Sequence, residues 1–289
     1  MKLNWAAWAF VAPALMVIAV FFFLPVLAGF ALSFTDFDIY ALADLNNLRF
    51  VGLANYVELL QTPLFWKALG NTLYFVGVGV PLSIAASLGA ALLLNSKLAR
   101  FRPFFRVALF APVVTTLVAV AIVWRYLLHT RSGLINYGLE SLGLAPIDWL
   151  GDPHWAMPAI ILFAVWKNFG YNMIIFLAGL QSIPEELYEA ARIDGASSWQ
   201  QLRHVTLPSL APVVLLVSVL TMAGYFQLFA EPYVMTQGGP LDSTLTLAFH
   251  TYNQFAFGNY GETSAIAYLT FLAIAGLTVL QFKFLRPAT

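Results

Sequence analysis

The chain of 289 residues contains no cysteine, which excludes disulfide bonds and sites that bind a metal through thiolates. It also has few charges, since Asp, Glu, Lys and Arg make up 10% of it, whereas a soluble domain carries about 25%. The 14 basic and 14 acidic residues balance, so charge gives no indication of a nucleic-acid partner. The four histidines are scattered, without the spacing of a metal site. We therefore expect no metal centre and no nucleic-acid binding.

Apolar residues make up 61% of the chain and are gathered in long runs. A run of about 20 such residues can cross the hydrocarbon of a bilayer as a helix. The first run is longer than the apolar part of a signal peptide, so we expect it to be retained. The composition predicts an all-α integral membrane protein that forms one domain over residues 1–289. Its six predicted transmembrane helices are Trp8–Leu32, Leu69–Leu94, Phe105–Leu127, Trp155–Leu180, Ser209–Ala230 and Thr263–Phe284.

The distribution of charge predicts the orientation of these spans. An even number of spans puts both termini on one side of the membrane. That side collects most of the basic residues, and most of the acids fall on the other. The basic residues of that side are Lys2, Lys97, Arg100, Arg102, Arg106, Arg192, Arg203, Lys283 and Arg286. Because positive loops stay inside, we expect a multi-pass protein with cytoplasmic termini.

A polar segment, residues 182–208, separates the fourth predicted span from the fifth. Ser182 and Glu185 have the spacing of a capping box and predict a helix from Ile183 to Ile193. Gly195 can take a positive φ, so it is suited to end that helix.

A second capping box, Ser198 with Gln201, predicts another helix from Trp199 to about Thr206. Pro208 follows it, close to the next span. The segment is therefore predicted to be a helix–turn–helix hairpin at the cytoplasmic surface. It could serve as a solvated surface element or as a docking site for another protein, and the residues alone leave both open.

The spacing within this segment resembles the EAA loop of bacterial ABC importer permeases. That pattern is E-A-A-x3-G-x9-I-x-L-P, and the chain has Glu189-Ala190-Ala191, Gly195 and Leu207-Pro208 at the matching positions. The isoleucine position is Val205, a conservative departure. By this resemblance the hairpin is the coupling helix that enters a cleft of a cytoplasmic ATPase.

The resemblance extends along nearly the whole chain. Residues 52–56 (GLANY), 181–196 (QSIPEELYEAARIDGA) and 236–240 (TQGGP) are similar to the carbohydrate-importer branch, and to its maltose-type first permease subunit. The maltose prototype has additional N-terminal spans and a large external domain that this chain lacks, as do shorter members of the family.

The resemblance implies a type I ABC importer permease fold in a bacterial cytoplasmic (inner) membrane. The chain contains no G-x4-G-K-[ST] phosphate loop, so we expect a non-catalytic subunit, with ATP and Mg bound by a partner ATPase. The implied partners are a second homologous permease subunit, two ATPase subunits and an external solute-binding protein. The residues expected to contact the ATPase are Glu185, Glu189, Ala190, Ala191, Asp194, Gly195, Leu207 and Pro208.

Polar side chains within the spans predict where a substrate passes, because such residues usually face a cavity or a neighbouring helix. The predicted pathway residues are Thr115, Thr116, Lys167, Asn168, Asn172, Thr221, Gly224, Tyr225 and Leu228. By resemblance, the last four match sugar-contacting positions of the maltose-type subunit. Lys167 faces either a wet cavity or a carboxylate, for which Glu231 is a candidate. Each threonine could instead bond its own helix backbone.

Together these features predict half of the membrane pathway of an ATP-driven importer for a di- or oligosaccharide. A glycerol-phosphate permease of the same type is an alternative. An ion-coupled secondary transporter is a second alternative, but it would need acids within the spans and inverted repeats. An enzyme would need a nucleophile with its base or a metal, and we find no such arrangement in the sequence.

Overall fold

The computed structural model describes residues 5–96 and 101–285 of the chain. Within these ranges it is helical, with loops and one isolated bridge between Thr35 and Phe50. The first eight helices are α1 (Trp5–Ile18), α2 (Leu24–Leu32), α3 (Ile39–Ala43), α4 (Ala54–Gln61), α5 (Pro63–Asn95), α6 (Arg102–Val114), α7 (Leu117–Leu127) and α8 (Leu134–Ser141). The remaining ones are α9 (Pro153–Gln181), α10 (Glu185–Ile193), α11 (Ser198–Gln201), α12 (Leu207–Ser209), α13 (Ala211–Phe226), α14 (Ala230–Met235), α15 (Leu247–Ala256) and α16 (Tyr260–Leu285).

The predicted all-α class is confirmed. Among the described residues, four helical segments are long and apolar enough to cross a membrane: Trp8–Leu32, Pro63–Asn95, Pro153–Gln181 and Tyr260–Lys283. Two bent pairs bring the number to six if each pair is one span. The basic residues Lys2, Lys97, Arg100 and Arg286, which entered the prediction of orientation, lie outside the described residues.

The predicted span 105–127 is broken rather than continuous. α6 ends at Val114, Thr115 and Thr116 are extended, and α7 leaves at 99° to α6. The proline at position 112 supplies no amide hydrogen to the last turn of α6. The Thr115 amide and hydroxyl both donate to the Pro112 carbonyl, over 3.3 Å and 2.6 Å. A hydroxyl that competes for a helix carbonyl in this way favours a helix end.

The predicted span 209–230 is also interrupted. Helix α13 covers only Ala211–Phe226, and the preceding helical segment Ser198–Ser209 meets it at 64°. Leu210 lies between the two and is completely buried. The bend therefore pivots on an apolar side chain that is held in the core.

The chain forms two compact units. The smaller comprises residues 1–65 and 250–272, and the larger comprises residues 66–249 and 273–289. The predicted single permease domain includes both units and stays a prediction.

In the smaller unit, the GLANY segment holds the end of α2. Gly52 has φ +60° and turns the chain into α4. Asn55 then donates from its amide to the carbonyls of Ser33 and Thr35, over 2.9 Å and 2.8 Å. The next residue, Tyr56, donates its hydroxyl to the Ser33 hydroxyl over 2.8 Å. The motif thus has a structural role that its sequence alone does not reveal.

Helix α9 is the centre of the larger unit. It begins at the Asp152 cap, whose carboxylate accepts from the His154 amide over 2.7 Å, with a proline in the first turn. Fifteen of its 29 residues are buried, so it is surrounded by other helices rather than lying on the surface. Phe163 and Phe176 on α9 are among the largest fully buried side chains, together with Phe226 on α13.

Glycines on α9 allow its neighbours to come very close. A Cβ atom at Gly170 would lie 2.4 Å from the Leu109 carbonyl oxygen of α6. A Cβ atom at Gly179 would lie 2.8 Å from a methyl group of Val213 on α13. Small residues permit this kind of approach in membrane helices, and here they bring both broken spans against one straight helix.

Candidate functional site

The polar hairpin, residues 182–208, starts differently from its prediction. α10 begins at Glu185 instead of Ile183, after Pro184, and no side chain caps it. The Ser182 hydroxyl donates to the Gly179 carbonyl over 2.8 Å, so it serves the end of α9. The predicted first capping box is therefore wrong. Glu185 and Glu186 in the first turn stabilise the helix start through its dipole instead.

Gly195 ends α10, as the sequence predicts. Its φ is +79°, a value that glycine adopts without steric cost. The Ala196 amide donates to the Ala191 carbonyl over 2.9 Å, and the Gly195 amide donates to the Arg192 carbonyl over 3.1 Å. These two bonds make a Schellman motif, in which Asp194 is the C-cap residue. The direction of the chain after α10 is thus determined locally.

The second capping box is present but shifted by one residue. The cap is formed by Ser197 with Gln200. The Ser197 amide donates to the Gln200 side-chain oxygen over 2.8 Å, and the Gln200 amide donates to the Ser197 hydroxyl over 3.4 Å. The predicted pair Ser198 and Gln201 has the same spacing, so the pattern could not distinguish them.

The second helix of the hairpin is also longer than predicted. A π-helical stretch, Leu202–Thr206, follows α11, and α12 continues it through Leu207 and Pro208. Pro208 lies near the end of this helical run, just before the bend at Leu210. The hairpin therefore joins α13 through helix rather than through a flexible loop.

Tyr188 and Thr206 tie the two arms of the hairpin together. Their hydroxyls lie 3.0 Å apart, one on α10 and the other in the π-helical stretch, and Thr206 is buried. The Gln201 side chain adds a bond to the Ala196 carbonyl over 2.9 Å. Sequence reasoning missed Tyr188 and Thr206. The only feature of the sequence that could have suggested this contact is the turn at Gly195, which brings the two arms of the hairpin together.

The outer surface of the hairpin combines acids with apolar side chains. Glu185 pairs with Arg192 over 2.7 Å, an exposed ion pair of little energetic weight. Glu189 has no ion-pair partner among the described residues. Ile193 and Trp199 are 87% and 68% exposed. Large apolar side chains exposed beside unpaired acids are typical of a protein-contact surface.

The larger unit also contains a cavity of about 610 Å³. Six predicted pathway residues line it: Asn168, Asn172, Thr221, Gly224, Tyr225 and Leu228. Eight lining residues were not among the predicted site residues, and three of these are polar: Tyr171, Gln227 and Glu231. The volume is typical of a small-molecule site, and the lining combines apolar groups with amides, hydroxyls and rings.

Asn172 connects three helices in the wall of this cavity. Its amide donates to the Thr221 hydroxyl on α13 over 2.9 Å and to the Ser83 hydroxyl on α5 over 3.3 Å. All three side chains are buried. The wall is therefore built from polar groups that satisfy one another. Asn168, by contrast, donates to the Ala164 carbonyl of its own helix, over 3.0 Å.

Tyr225 is 5% exposed and has a ring that is firmly packed. The ring lies against Phe75, with centroids 4.9 Å apart, and closely approaches Gly79. Ser83 and Asn168 lie beside its hydroxyl. Among the described residues, however, none completes a hydrogen bond of good geometry with that hydroxyl. The oxygen itself is buried, so it lies behind the cavity surface rather than on it.

Thr115, Thr116 and Lys167 adjoin the cavity without belonging to its described lining. Thr115 uses its hydroxyl on its own backbone, one of the two alternatives for this residue. Thr116 precedes α7 and makes no capping bond with its side chain. Lys167 is 6% exposed, and its ammonium donates to the Val113 carbonyl over 3.1 Å.

The TQGGP segment forms a defined loop after α14. The Thr244 hydroxyl donates to the Gly239 carbonyl over 2.9 Å. The Lys67 ammonium donates to the Leu241 carbonyl, and the Asn71 amide donates to the Asp242 carbonyl over 2.7 Å. Leu241 remains 79% exposed. The loop is therefore held from α5 while it presents an apolar tip.

A broken and glycine-packed helix bundle, a polar cavity and a capped hairpin with the EAA spacing occur together in this chain. A family model described as "Binding-protein-dependent transport system inner membrane component" matches residues 64–287. The chain belongs to this family. It is therefore an inner-membrane permease component of an ABC importer, a class that works with an ATPase and a binding protein.

Named relatives and a solved structure agree with this assignment. The permease is 40% identical over 281 residues to the lactose transport system permease protein LacF of Rhizobium radiobacter, covering 95% of this chain and 92% of that protein. It is 36% identical to the trehalose/maltose transport system permease protein MalF of Thermococcus litoralis, covering 94% and 91%.

The solved structure is a bacterial alginate ABC transporter in complex with its alginate pentasaccharide-bound periplasmic protein. The likeness has a TM-score of 0.81 at 22% identity and covers 99% of this chain and 95% of that one. It shows that the permease has an ABC importer permease fold.

Proposed function

We propose that the permease forms half of the membrane pathway for a di- or oligosaccharide. The observation that carries this proposal is the cavity in the larger unit, lined by Asn168, Asn172, Tyr171 and Tyr225. A sugar needs hydrogen bonds for its hydroxyls and an apolar face for its ring, and amides with tyrosines supply both. The lactose and trehalose/maltose permeases among its relatives support the same substrate class.

The other half of the pathway would be a second homologous permease subunit. Two ATPase subunits would bind ATP and Mg and carry out hydrolysis, and an external binding protein would deliver the sugar. The termini and the polar hairpin would face the cytoplasm. The permease itself would do no covalent chemistry, since its role is to bias an equilibrium between inward-facing and outward-facing states.

The hairpin is well placed to transmit motion to the cavity. It leaves α9 at Ser182 and enters α13 through α12. These are the two helices that Asn172 and Thr221 join in the cavity wall. A displacement of the hairpin by an ATPase would therefore pull on both sides of that wall. Glu189, Ile193 and Trp199 supply the exposed contact surface for the ATPase.

The substrate can be identified without assuming a sugar. Candidate solutes are screened for those that raise the melting temperature of the cognate binding protein, because a ligand that binds only the native state stabilises it. The assembled transporter is then reconstituted in proteoliposomes, and uptake of that solute is measured with and without ATP. We expect ATP-dependent sugar uptake. Uptake that follows a proton gradient and ignores ATP would contradict the proposal, and uptake of glycerol 3-phosphate would redirect the substrate class.

A further inference from the structure

Lys167 occupies an unusual position in α9. This charged residue is only 6% exposed, and it lies in the middle of a 29-residue apolar helix. Its ammonium donates to the Val113 carbonyl over 3.1 Å. A buried cation is costly unless its charge and its hydrogen bonds are both satisfied, so its surroundings must compensate it.

The acceptor of this bond lies in the last turn of a broken helix. Carbonyls in the last turn of a helix have no amide partner within that helix and need one from elsewhere. In α6 the Thr115 amide and hydroxyl occupy the Pro112 carbonyl, and Lys167 occupies the next one, that of Val113. A cation at this end also interacts favourably with the helix dipole.

A second contact, one turn away, holds the same two helices in register. Gly170 of α9 approaches the Leu109 carbonyl of α6 so closely that a Cβ atom would lie 2.4 Å from it. Lys167 and Gly170 are three residues apart on α9, and Leu109 and Val113 are four apart on α6. They therefore lie on one face of each helix. The position of the end of α6 is determined by backbone packing at Gly170 and by the lysine bond at Val113.

Glu231 is the buried acid that interacts with Lys167. Glu231 of α14 is 7% exposed, lines the cavity and interacts electrostatically with Lys167. The two groups do not form an ion pair within 4.0 Å among the described residues. The Thr115–Thr116 break separates α6 from α7. Lys167 bonds the Val113 carbonyl of α6, and Glu231 belongs to α14, which packs against α7.

We infer that Lys167 is a positioning residue that fixes the end of α6 beside the cavity. Val113 and Leu117, which stand on either side of the break, both line the cavity, so the geometry of the break shapes the cavity wall. The inference rests on the proposed function in treating this cavity as the substrate path. It deepens that function, because it assigns the Lys167 ammonium to the Val113 carbonyl in the wall of the path rather than to the substrate.

The absence of cysteine from the chain allows a direct test. Thr116→Cys places a single thiol at the break, and the rate of its reaction with N-ethylmaleimide is followed on this chain in the assembled transporter in nanodiscs. Lys167→Met should raise that rate about tenfold, because a hydrogen bond from a charged donor contributes enough free energy for a factor of that order. Lys167→Arg, which keeps the charge and the donor, should restore the original rate.

The matched control is Lys67→Met. It removes the bond from another lysine to a backbone carbonyl, that of Leu241, away from the break. The labelling rate at position 116 should then stay unchanged. An equal rate for Lys167→Met and the parent, or a failure of Lys167→Arg to restore the rate, would overturn the positioning role. If Lys167→Met does not assemble, Lys167→Gln replaces it and should give a smaller increase in rate.

A double substitution tests whether Lys167 and Glu231 depend on each other for stability. Lys167→Met and Glu231→Gln should each lower the melting temperature, and the double variant should recover part of that loss, because removing both charges of a buried pair costs less than removing one. Strictly additive losses would show that the two residues are independent. Glycerol 3-phosphate is the anionic probe. If it slows labelling of the Thr116→Cys parent but not of Lys167→Met, the lysine contacts anions and the inference is wrong. These labelling assays need no transported sugar, so they can fail or succeed independently of the uptake assay.

Discussion

The Asn172 amide donates to the Thr221 hydroxyl over 2.9 Å and thereby joins α9 to α13 in the cavity wall. The same amide reaches the Ser83 hydroxyl of α5 at 3.3 Å. Helices α9 and α13 are also the ones on either side of the polar hairpin. The bond therefore links, in the cavity wall, the two helices that the hairpin connects. Its two residues therefore connect the two functions proposed for the chain.

Asn172→Leu should lower the free energy of unfolding by about 1–3 kcal/mol, because it leaves the buried hydroxyls of Thr221 and Ser83 without their donor. Thermal unfolding of the assembled transporter in detergent measures the effect. Asn168→Leu is the control, since the hydrogen bond of that amide goes to the Ala164 carbonyl of its own helix. Equal losses for the two variants would mean that the bond between helices contributes nothing specific.

Glu189→Lys should abolish coupling and leave membrane insertion intact, because it reverses an exposed and unpaired charge on the hairpin. The measurement is association with the ATPase in a pulldown, together with ATP-driven uptake. Glu140→Lys makes the same change on an exposed position of α8, outside the hairpin, and should have no effect on either. Normal ATPase association of Glu189→Lys would count against docking at this surface.

Tyr225→Phe should reduce uptake of the native sugar without weakening the fold. The hydroxyl completes no hydrogen bond among the described residues, so its removal costs the folded state little. Tyr225→Ala is a poorer probe, because it also removes a ring packed on Phe75 and would cost about 3–5 kcal/mol in stability. Uptake kinetics and the melting temperature are measured together. Unchanged kinetics in Tyr225→Phe would remove the hydroxyl from the pathway.

Gly195→Ala should destabilise the hairpin by about 1–2 kcal/mol, because its φ of +79° is unfavourable for a residue with a Cβ atom. The added methyl group itself meets nothing within 4 Å, so the effect is one of backbone conformation. Hydrogen exchange of α10 and ATPase stimulation report it. Gly276→Ala, at an open helical site in α16, is the control and should leave the exchange of α10 unchanged. Similar exchange in both variants would contradict the strained turn.

His250 should make the protein less stable as the pH falls below about 6.5. Burial lowers the pKa of His250 below its ordinary value of 6.5, so the unfolded chain binds a proton that the folded chain rejects. The stability that comes from the neutral form is fully present above the unfolded pKa of 6.5. It is lost as the pH falls from there through the lower pKa of the folded state. His250→Leu should flatten the fall in melting temperature between about pH 7 and 5. His129→Gln, at an exposed histidine, should leave the slope as it was.

The helices and the hairpin were largely predictable, because apolar runs and glycine turns depend on neighbouring residues. Gly195 ended α10 as expected, while the first predicted capping box was wrong and the second was misplaced by one residue. Ser182 had a competing partner in the Gly179 carbonyl, and Ser197 matched the same pattern as Ser198. The break at Thr115 escaped prediction, because it lies within a long apolar run. The sequence does not show whether a threonine hydroxyl bonds its own helix backbone, as that of Thr115 does.

The sequence by itself therefore determined the membrane class, the order of the spans and a polar hairpin of family-specific spacing. These features follow from hydrophobic length and from backbone preferences that operate within a few residues. Only the tertiary structure decided which polar groups meet. Asn172 and Thr221 are 49 residues apart in the chain, and Lys167 and Val113 are 54 apart. Such pairs depend on how α6, α9 and α13 pack, and that packing is set by close approaches at glycines rather than by any local pattern.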